Sequence, residues 1–362
     1  MKVGIDVSSY ARPFRTGVAR YIGCLVNALA ALDDENTYFL YHRFSRLKHR
    51  RHFLRVSKPT FHNGIMQGRF AWPLLGGLDV FHGLDARLPE CRGPATIVTF
   101  HALLAFVSEE FCPESFRRKK RARDAYLVEC ADHIIAVSES IKNDLIKYLG
   151  ARESKLTVVH EGVTPDFHHR PAEEQRAVRA RYDLKRDFVL FVGAISRRKN
   201  VATLLRAFAA VARKTDLDLV LVGRPSFGYE GEMAPLQELN IADRVRHIGF
   251  QSEDLPALYS AATVFAFPSL YEGFGLPLLE AMACGTPVVA SKTSSIPEVV
   301  GQAGLLVPPT DHEQLAEAII RVVEDRALRE RLSRAGLERA REFTWERAAR
   351  QTLEVYRHLA AR

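Results

Sequence analysis

The sequence lacks the cysteine pattern of a disulfide scaffold or of a structural zinc site. It has five cysteines in 362 residues, and no two of them have the CxxC spacing of a metal or redox motif. An odd number of scattered cysteines favours reduced thiols over disulfides. The cysteine content therefore predicts a cytoplasmic protein.

Long apolar runs are missing as well. No stretch approaches the ~20 apolar residues that a membrane-spanning helix needs. The first residues, MKVGIDVSS, have the pattern of a strand rather than that of a signal peptide. The sequence has no RNP, zinc-finger or helix-turn-helix signature, which argues against nucleic acid as a partner.

The composition is that of a globular protein, with 47% hydrophobic and 26% charged residues. The formal net charge is +8, and residues 1–167 hold 24 basic against 18 acidic side chains. Much of this excess comes from two runs, residues 42–58 and 117–123. Such runs are usually solvated surface, but two of them in one half also suit an anionic acceptor or a peripheral contact with the anionic inner face of the cytoplasmic membrane. Both interpretations stay open.

Apolar strand patterns alternate with helical patterns along the chain. This alternation predicts βαβ units and parallel sheets. The strand candidates are residues 2–7, 38–42, 79–83, 95–100, 133–137, 156–160, 188–193, 217–223, 245–250, 264–268, 287–291 and 304–308. The helix candidates are residues 18–29, 113–131, about 200–214, 311–323, 326–341 and 344–361.

The length favours two domains. A polar stretch at residues 163–187 interrupts the alternation. We therefore predict an α/β protein with two doubly wound, Rossmann-like domains, residues 1–167 and 168–343, facing across a cleft. The amphipathic helix 344–361 is expected to return to the first domain. His160 and Glu161 are assigned to the segment between the domains, outside the chemistry.

Two glutamates surround the predicted start of a helix in the second domain, in the stretch EGFGLPLLE. Gly273 and Gly275 let the backbone approach a ligand closely, and a helix start favours a bound phosphate. Glu272 and Glu280 would repel a phosphate unless they face sugar hydroxyls, which donate hydrogen bonds to carboxylates. A nucleotide sugar, with a diphosphate between two sugars, satisfies both requirements.

The pair of Glu272 and Glu280, inside FPSLYEGFGLPLLEAMACGTPVVAS, resembles the E-x7-E signature of retaining glycosyltransferases of family 4, which have the GT-B fold. Five other segments are similar to motifs of that family: TGVARYIGCLVNAL, VTFHALL, AVSESIKNDL, VVHEGV and FVGAISRRKNVATLLRAF. The resemblance covers essentially the whole chain. It implies transfer of a hexose from a nucleoside-diphosphate sugar to a hydroxyl group, with retention at the anomeric carbon.

The resemblance also implies roles for the donor-site residues. Glu280 would hold the ribose hydroxyls and Glu272 would contact the transferred hexose near its 3-hydroxyl. Backbone groups beside the donor would come from Gly273, Phe274, Gly275 and Leu276. Residues 247–251 would lie near the nucleotide base.

The remaining assignments concern the diphosphate and the acceptor side. Arg198 and Lys199 would neutralise the diphosphate and stabilise the leaving group, which a metal ion does in other enzymes. His101 would face the donor sugar and orient it or the acceptor, and Gly17 would let the first loop lie close to the phosphates. The implied catalytic set is thus His101, Arg198, Lys199 and Glu272.

Two positions depart from the family pattern. Ala102 stands where many relatives carry an aspartate, which weakens the assignment of the acceptor side. Ala194 stands where many relatives carry an arginine, so the phosphate charge rests more heavily on Arg198 and Lys199.

We expect no cofactor and no metal ion, with the nucleotide sugar as a substrate. The acidic run LDDEN at residues 32–36 falls in a turn between a helix and a strand, where we expect solvated side chains. No other acidic pair lies at a strand end in a way that suggests a metal-bridged diphosphate.

The candidate residues also have purely structural interpretations. Glu280 suits an exposed helix face, and Glu272 suits a partner of the helix dipole. Arg198 and Lys199 suit solvated positions, and Asn200 stands where an N-cap is expected.

Two other functions remain open at this level. One is another enzyme of the same fold, such as a nucleotide-sugar epimerase or a phosphorylase, and the other is a catalytically silent binding subunit. The acceptor is expected to be a saccharide or a lipid-linked saccharide of surface polysaccharide or glycolipid assembly. The donor base, the donor sugar and the linkage are not specified by the sequence.

Overall fold

A computed structural model describes residues 1–11, 17–66, 77–89, 93–250 and 252–361. The chain divides into two compact units. Unit 1 comprises Met1–Phe106, Ser115–Gly162 and Thr344–Arg362, and unit 2 comprises Val107–Glu114 and Val163–Phe343. Thr16 of the predicted N-terminal glycine loop and Gln251 of the predicted base-contact segment lie outside the described residues.

Unit 1 contains a parallel sheet of seven strands in the order β3-β2-β1-β4-β5-β6-β7. The strands are β1 (Lys2–Asp6), β2 (Thr37–Arg43), β3 (Phe61–Met66), β4 (Val80–Gly83), β5 (Ala95–Phe100), β6 (His133–Ala136) and β7 (Leu156–Val158). Most residues of β1, β4 and β6 are buried. Such strands require cover on both faces, as is usual in parallel sheets.

The helices of unit 1 and its connection to unit 2 are α1 (Gly17–Leu32), α2 (Leu104–Val107), α3 (Glu114–Cys130) and α4 (Glu139–Leu149), with 3₁₀ turns at Phe44–His52, Glu109–Phe111 and Glu153–Lys155. Local sequence fixes some of the ends. Ser138 caps α4 by accepting a hydrogen bond from the Ile141 amide, and Gly150 ends it in a left-handed conformation.

The last helix of the chain belongs to unit 1, as the sequence predicted. Its buried face carries Tyr356, whose hydroxyl lies 2.8 Å from Nδ1 of His82 on β4. The other ring nitrogen of His82 lies 2.8 Å from the Thr99 hydroxyl on β5. Because His82 is fully buried, these two partners satisfy a polar ring that would otherwise be costly inside the unit.

Unit 2 contains a parallel sheet of six strands in the order β10-β9-β8-β11-β12-β13. The strands are β8 (Phe188–Val192), β9 (Asp218–Val222), β10 (Val245–His247), β11 (Val264–Phe267), β12 (Val288–Ser291) and β13 (Gly304–Val307). All residues of β8, β9, β11 and β12 are buried. Their nearly continuous apolar runs explain why the sequence patterns identified them.

The helices from residue 172 onward are α5 (Ala172–Arg181), α6 (Val201–Lys214), α7 (Tyr229–Met233), α8 (Pro235–Glu238), α9 (Leu255–Ala261), α10 (Leu276–Ala283), α11 (Ile296–Val300), α12 (His312–Glu324), α13 (Arg326–Ala340) and α14 (Trp345–Ala360). Short 3₁₀ turns occur at Arg197–Lys199 and Ala242–Arg244. Asp311, Asp325 and Thr344 cap α12, α13 and α14 with side-chain oxygens.

The predicted α/β architecture is confirmed, although several local elements were missed, among them β3, α4, α5 and α9. Strand β3 has the sequence FHNGIM, which has neither alternation nor an apolar run, and it lies at the edge of its sheet. The polar stretch 163–187 contains helix α5, in which only Val178 is buried. Hydrophobic periodicity cannot detect a helix with so little buried surface.

Among the described residues, no helix combines the length and the apolar character that a transmembrane span requires.

Candidate active site

The predicted donor-site segments lie at the switch point of the unit 2 sheet. The chain passes from β8 outward to β9 and β10, and then returns to β11 on the other side of β8. Loops that leave the carboxyl ends of β8 and β11 therefore diverge, and parallel sheets bind ligands at such points. Arg198 and Lys199 follow β8, and Glu272 follows β11.

The structure brings three of the predicted residues into direct contact. Oε1 of Glu272 lies 2.8 Å from Nη1 of Arg198 and 2.7 Å from Nζ of Lys199. The Glu272 and Lys199 side chains are 9% and 7% exposed and that of Arg198 is 21% exposed, so all three are largely removed from water. We call these residues the ion triad; it combines two positive charges with one negative charge.

The charges in the ion triad, together with burial, shift the pKa values of Glu272 and Lys199. Burial opposes the charged form of Glu272, but Arg198 and Lys199 outweigh this effect and lower its pKa to about 2. Burial also lowers the pKa of Lys199 to about 8, with Glu272 acting to raise it and Arg198 to lower it. Glu272 is therefore ionised at neutral pH, and Lys199 is held in its charged form chiefly by the carboxylate beside it.

Backbone contacts hold the two loops together around the ion triad. Nη1 of Arg198 also donates to the Tyr271 carbonyl at 2.6 Å, and the Leu270 amide donates to the Arg198 carbonyl at 2.8 Å. The Lys199 ammonium lies 4.4 Å from the centre of the Phe267 ring, a favourable cation–π arrangement. The positions of the charges are thus fixed by main-chain and aromatic contacts as well as by their mutual attraction.

Two serines after β12 form hydrogen bonds with the backbone of the loop that contains Glu272. The Ser294 hydroxyl accepts a hydrogen bond from the Glu272 amide at 2.9 Å. The Ser295 hydroxyl lies 3.0 Å from the Glu272 carbonyl and 2.7 Å from that of Phe274. These serines were not identified from the sequence.

Gly275 allows the sharp entry into helix α10. Its φ is +122°, and a Cβ at this position would lie 2.9 Å from Cδ1 of Leu278. Another residue type would be strained here. Leu276 and Pro277 begin α10, where the missing amide hydrogen of proline is harmless.

Glu280 lies inside unit 2 and is 3% exposed. Its Oε2 accepts a hydrogen bond from the Tyr259 hydroxyl at 3.0 Å, which links α10 to α9. The alternative of an exposed helix face is therefore wrong for Glu280. A buried carboxylate is costly unless it is hydrogen-bonded, so a specific role for this side chain is favoured.

Asn200 does not act as a helix cap. It has a left-handed conformation and no capping hydrogen bond to α6. Its Nδ2 instead donates to the carbonyls of Pro268 and Pro309 at 3.0 and 2.6 Å. The residue thus connects the loop after β8 to the end of β11, which no local sequence rule could indicate.

His101, at the end of β5 in unit 1, has both ring nitrogens engaged. Nε2 lies 2.8 Å from the Leu84 carbonyl, and Nδ1 lies 3.2 Å from Oε1 of Glu161. Burial opposes protonation, but the hydrogen bond and the charge of Glu161 raise the pKa of His101. The edge of the His101 ring packs against Tyr21, with 4.5 Å between ring centres.

Glu161 was predicted to lie in the segment between the domains, outside the chemistry, and its contact with a candidate site residue was not anticipated. Its side chain is 7% exposed and pairs with His101. The two residues are separated by 60 positions, and only their positions at the ends of β5 and β7 could have suggested the contact.

Two other sequence expectations concern unit 1. Gly17 begins α1 and is exposed, and a Cβ there would meet no atom within 4 Å. Asp33 of LDDEN is buried rather than solvated. It accepts hydrogen bonds from Asn36 and Tyr38, so this acidic run organises the turn before β2.

A groove of about 720 Å³ lies at the amino-terminal ends of the unit 2 strands. Asp187, Thr263 and Pro287, which directly precede β8, β11 and β12, line it. None of the predicted donor residues lines it.

Comparison with protein families agrees with the resemblance. Residues 15–167 match the model described as "Glycosyltransferase Family 4", and residues 173–339 match "Glycosyl transferases group 1". The chain belongs to this glycosyltransferase family. The predicted activity, transfer of a sugar from a nucleotide-sugar donor in glycan biosynthesis, is confirmed at the level of the family.

Two curated relatives are similar over most of the glycosyltransferase. O-antigen chain mannosyltransferase B of Escherichia coli is 33% identical over 80% of this chain and 77% of its own length. A D-inositol 3-phosphate glycosyltransferase of Nocardioides is 34% identical over 83% of this chain and 72% of its own length.

Solved structures confirm the GT-B architecture. A sucrose-phosphate synthase from Thermosynechococcus elongatus has a TM-score of 0.79 and 26% identity, covering 100% of this chain and 99% of its own. HepE of Anabaena, solved in complex with UDP-glucose, has a TM-score of 0.75 and 19% identity, covering 98% and 99% of the two chains. The latter likeness concerns the fold alone.

Removing the carboxylate of the ion triad should lower the folding stability. Glu272→Gln preserves the size of the side chain but removes the only negative charge of the triad. We expect a loss of roughly 3–5 kcal/mol of folding stability, because breaking a buried ion pair leaves uncompensated charge. Urea unfolding at neutral pH measures this, with Glu317→Gln on the exposed face of α12 as the control.

The same variant gives a pH test with a defined sign. The pKa of Glu272 is about 2 in the fold against an ordinary value of 4.5. Its contribution to stability is therefore complete above pH 4.5 and is lost as the pH falls toward 2. Wild type should lose more stability across this interval than Glu272→Gln, and equal losses would contradict the ion triad.

Proposed function

We propose that the ion triad and the start of α10 bind a nucleoside-diphosphate sugar, and that the enzyme transfers its hexose to a hydroxyl group with retention of anomeric configuration. The observation that supports this most strongly is the net positive charge of the buried triad at the β8–β11 switch point. A buried excess of positive charge favours an anionic ligand.

The diphosphate is assigned to Arg198 and Lys199. Both cations already share one carboxylate, Glu272, so a diphosphate with two negative charges adds the counter-charge that they lack. The first amides of α10 lie after Gly275, with no side-chain cap, and helix starts favour phosphate oxygens. Positive charge around the diphosphate would stabilise this leaving group as its bond to the sugar breaks.

The two sugars of the donor are assigned to the two buried glutamates. Glu272 would accept hydrogen bonds from the transferred hexose, with backbone groups of Gly273, Phe274 and Gly275 beside it. Glu280 would accept hydrogen bonds from the ribose. Ionised carboxylates are strong acceptors for neighbouring hydroxyls, and the burial of both side chains supports a fixed orientation.

The state of Glu272 favours front-face attack over a covalent intermediate. A carboxylate with a pKa of about 2, held by two cations, is a poor nucleophile and carries no proton at neutral pH. In the proposed step the bond between C1 and the phosphate oxygen breaks as the acceptor oxygen bonds to C1 on the same face. The acceptor proton passes to the departing phosphate oxygen.

Metal independence is proposed on the same grounds. Arg198 and Lys199 supply the positive charge that a divalent ion supplies elsewhere. Among the described residues, no three His, Cys, Asp or Glu side chains group in a way that could hold a metal ion.

The donor sugar and the acceptor are proposed from the relatives. The resemblance to a mannosyltransferase of O-antigen chains and to a sucrose-phosphate synthase favours a mannose- or glucose-type hexose. Surface polysaccharide or glycolipid assembly is the proposed context, with a saccharide or lipid-linked saccharide as acceptor. His101, held by Glu161 and Leu84, is assigned to the orientation of donor sugar or acceptor.

A peripheral contact with anionic membrane is proposed for unit 1. The 3₁₀ segment Phe44–His52 has no acidic residue in its first turn and ends in four consecutive basic or histidine side chains. Phe44 in this segment is 51% exposed, and Phe116 on the basic helix α3 is 48% exposed. Exposed aromatic side chains beside basic ones suit the interface of an anionic bilayer.

Removal of the ribose-binding carboxylate tests the donor site. We expect Glu280→Ala to weaken binding of the matching nucleoside diphosphate about tenfold or more, because two hydroxyls lose a charged acceptor. A thermal-shift screen with UDP, GDP and ADP first identifies the nucleotide, and calorimetry then compares wild type, Glu280→Ala and the control Glu317→Gln. Unchanged affinity in Glu280→Ala would disprove the assignment.

Product stereochemistry and chelation test the reaction. An α-configured donor should give an α-linked product, recognised by the anomeric coupling constants in NMR spectra. Transfer should continue at the same rate in EDTA. An inverted product would exclude the proposed step, and a rate lost in EDTA and restored by a divalent ion would exclude metal independence.

Sedimentation with liposomes tests the membrane contact. Vesicles rich in phosphatidylglycerol should bind the protein at low salt and release it at high salt, because screening weakens the attraction. Arg50→Gln/Arg51→Gln should reduce binding, whereas Arg213→Gln/Lys214→Gln at the end of α6 should not. Absence of binding at low salt would end this proposal.

A further inference from the structure

The switch point of the unit 1 sheet carries a second group of charged side chains. The chain passes from β1 outward to β2 and β3, and then returns to β4 on the other side of β1. Asp6 and Arg43 end β1 and β2, and Arg87 stands four residues after the end of β4. This position corresponds to the one that the ion triad occupies in unit 2, and it favours ligand binding for the same topological reason.

Arg87 is the unusual member of this group. It is half-buried, and its Nε is inaccessible and has no hydrogen-bond partner. Within the described part of the chain, its guanidinium forms neither a hydrogen bond nor an ion pair. A buried donor without a partner is costly, and an arginine cannot avoid the cost by losing its proton.

The carboxylates near Arg87 have other partners. Asp6 accepts from Nε of Arg43 at 3.1 Å and from the Ser8 amide at 2.9 Å. Asp85 accepts a hydrogen bond from the Ser9 hydroxyl. Among the described residues, the acids near Arg87 thus have other partners, which favours an external anion opposite its guanidinium.

Neighbouring cations strengthen this preference. Burial lowers the pKa of Arg87; Asp85 and Asp6 act to raise it, while Arg43 and Arg123 lower it further. Arg123 on α3 lies 3.5 Å from Asp124, a fully buried carboxylate that also pairs with Lys120. Counting only residues that the structure describes, four cations meet three carboxylates in this region: Arg43, Arg87, Lys120 and Arg123 against Asp6, Asp85 and Asp124.

The loop that carries Arg87 is tightly folded. A Cβ on Gly83 would lie 1.7 Å from the Arg87 carbonyl oxygen, and Ala86 has a φ of +41°. The Ala86 amide donates to the Thr99 carbonyl at 3.1 Å, and Leu84 in the same loop contacts His101. A left-handed non-glycine residue is often associated with a functional site, and here it directs the chain that presents Arg87.

We propose that Arg87 binds a phosphate group carried by the acceptor, with Arg43 and Arg123 supplying additional positive charge. A guanidinium forms paired hydrogen bonds with phosphate oxygens. That the phosphate belongs to the acceptor rests on the proposed function, because unit 2 already contains a cationic site for the donor. The phosphate can belong to a sugar phosphate or to the diphosphate of a lipid-linked saccharide.

The first test requires no donor and no turnover. Isothermal calorimetry with pyrophosphate compares wild type, Arg87→Gln and Arg87→Lys, each in the presence of saturating nucleoside diphosphate so that the donor site is filled. We expect Arg87→Gln to weaken pyrophosphate binding about tenfold or more and Arg87→Lys to weaken it less. Arg118→Gln, which changes an exposed arginine of α3, is the control and should bind as wild type does.

The second test uses acceptors that differ only in phosphate. Glucose is compared with glucose 6-phosphate, and a free disaccharide with the same disaccharide on a short-chain lipid diphosphate. Wild type should prefer one phosphorylated member of these pairs, which identifies the source of the phosphate. Arg87→Gln should raise KM for that member about tenfold or more and leave KM for its unphosphorylated partner unchanged.

The two proposals fail in different ways. Equal pyrophosphate affinity in wild type and Arg87→Gln, or a wild type that ignores phosphate in both pairs, would overturn the role of Arg87. Thermal melting and near-UV circular dichroism establish that Arg87→Gln is folded. A wrong donor assignment would instead give unchanged nucleotide affinity in Glu280→Ala. The pyrophosphate titration of Arg87→Gln could still be interpreted in that case.

Discussion

The attraction between Glu272 and the two cations beside it determines the geometry on which the proposed chemistry depends. Removing these charges from water is unfavourable, and their mutual attraction together with the carbonyl of Tyr271 offsets that cost. The result is a triad whose positive charge exceeds its negative charge by one. An isolated pair would be balanced, whereas this arrangement remains attractive to an anion while its side chains are already held in place. Preorganised charge of this kind stabilises a leaving group without reorganisation during the reaction.

The topology of the two sheets explains where the charges occur. In both units the chain moves outward over three strands and then returns to the other side of the first. Diverging loops at the return point create a concave edge at the carboxyl ends of the strands. In unit 2 this edge carries the triad, and in unit 1 it carries Arg87 with Arg43 and Asp6. The loops at these two edges therefore depend on particular residues.

Several features were predictable because they are local in sequence. The buried strands of unit 2 are short apolar runs, and the ends of α12 and α13 have acidic caps. The glutamate pair and the basic turn after β8 were found because each lies within one short segment. Features that depend on distant residues were missed: Glu161 meets His101 across 60 positions, and Asn200 reaches Pro309 across 109. No sequence pattern indicated Arg87. Its proposed role is inferred from the described acids around it, which pair with other residues.

The protonation of Lys199 is the most direct test of the central claim that the triad receives the diphosphate. NMR titration of the lysine side-chain carbons, with Lys199→Arg to assign the signal, follows this ammonium with and without saturating nucleoside diphosphate. The free protein should give a pKa of about 8. Bound phosphate oxygens stabilise the charged ammonium, so the pKa should rise when the nucleotide is present. An identical titration in the free and bound protein would contradict the account.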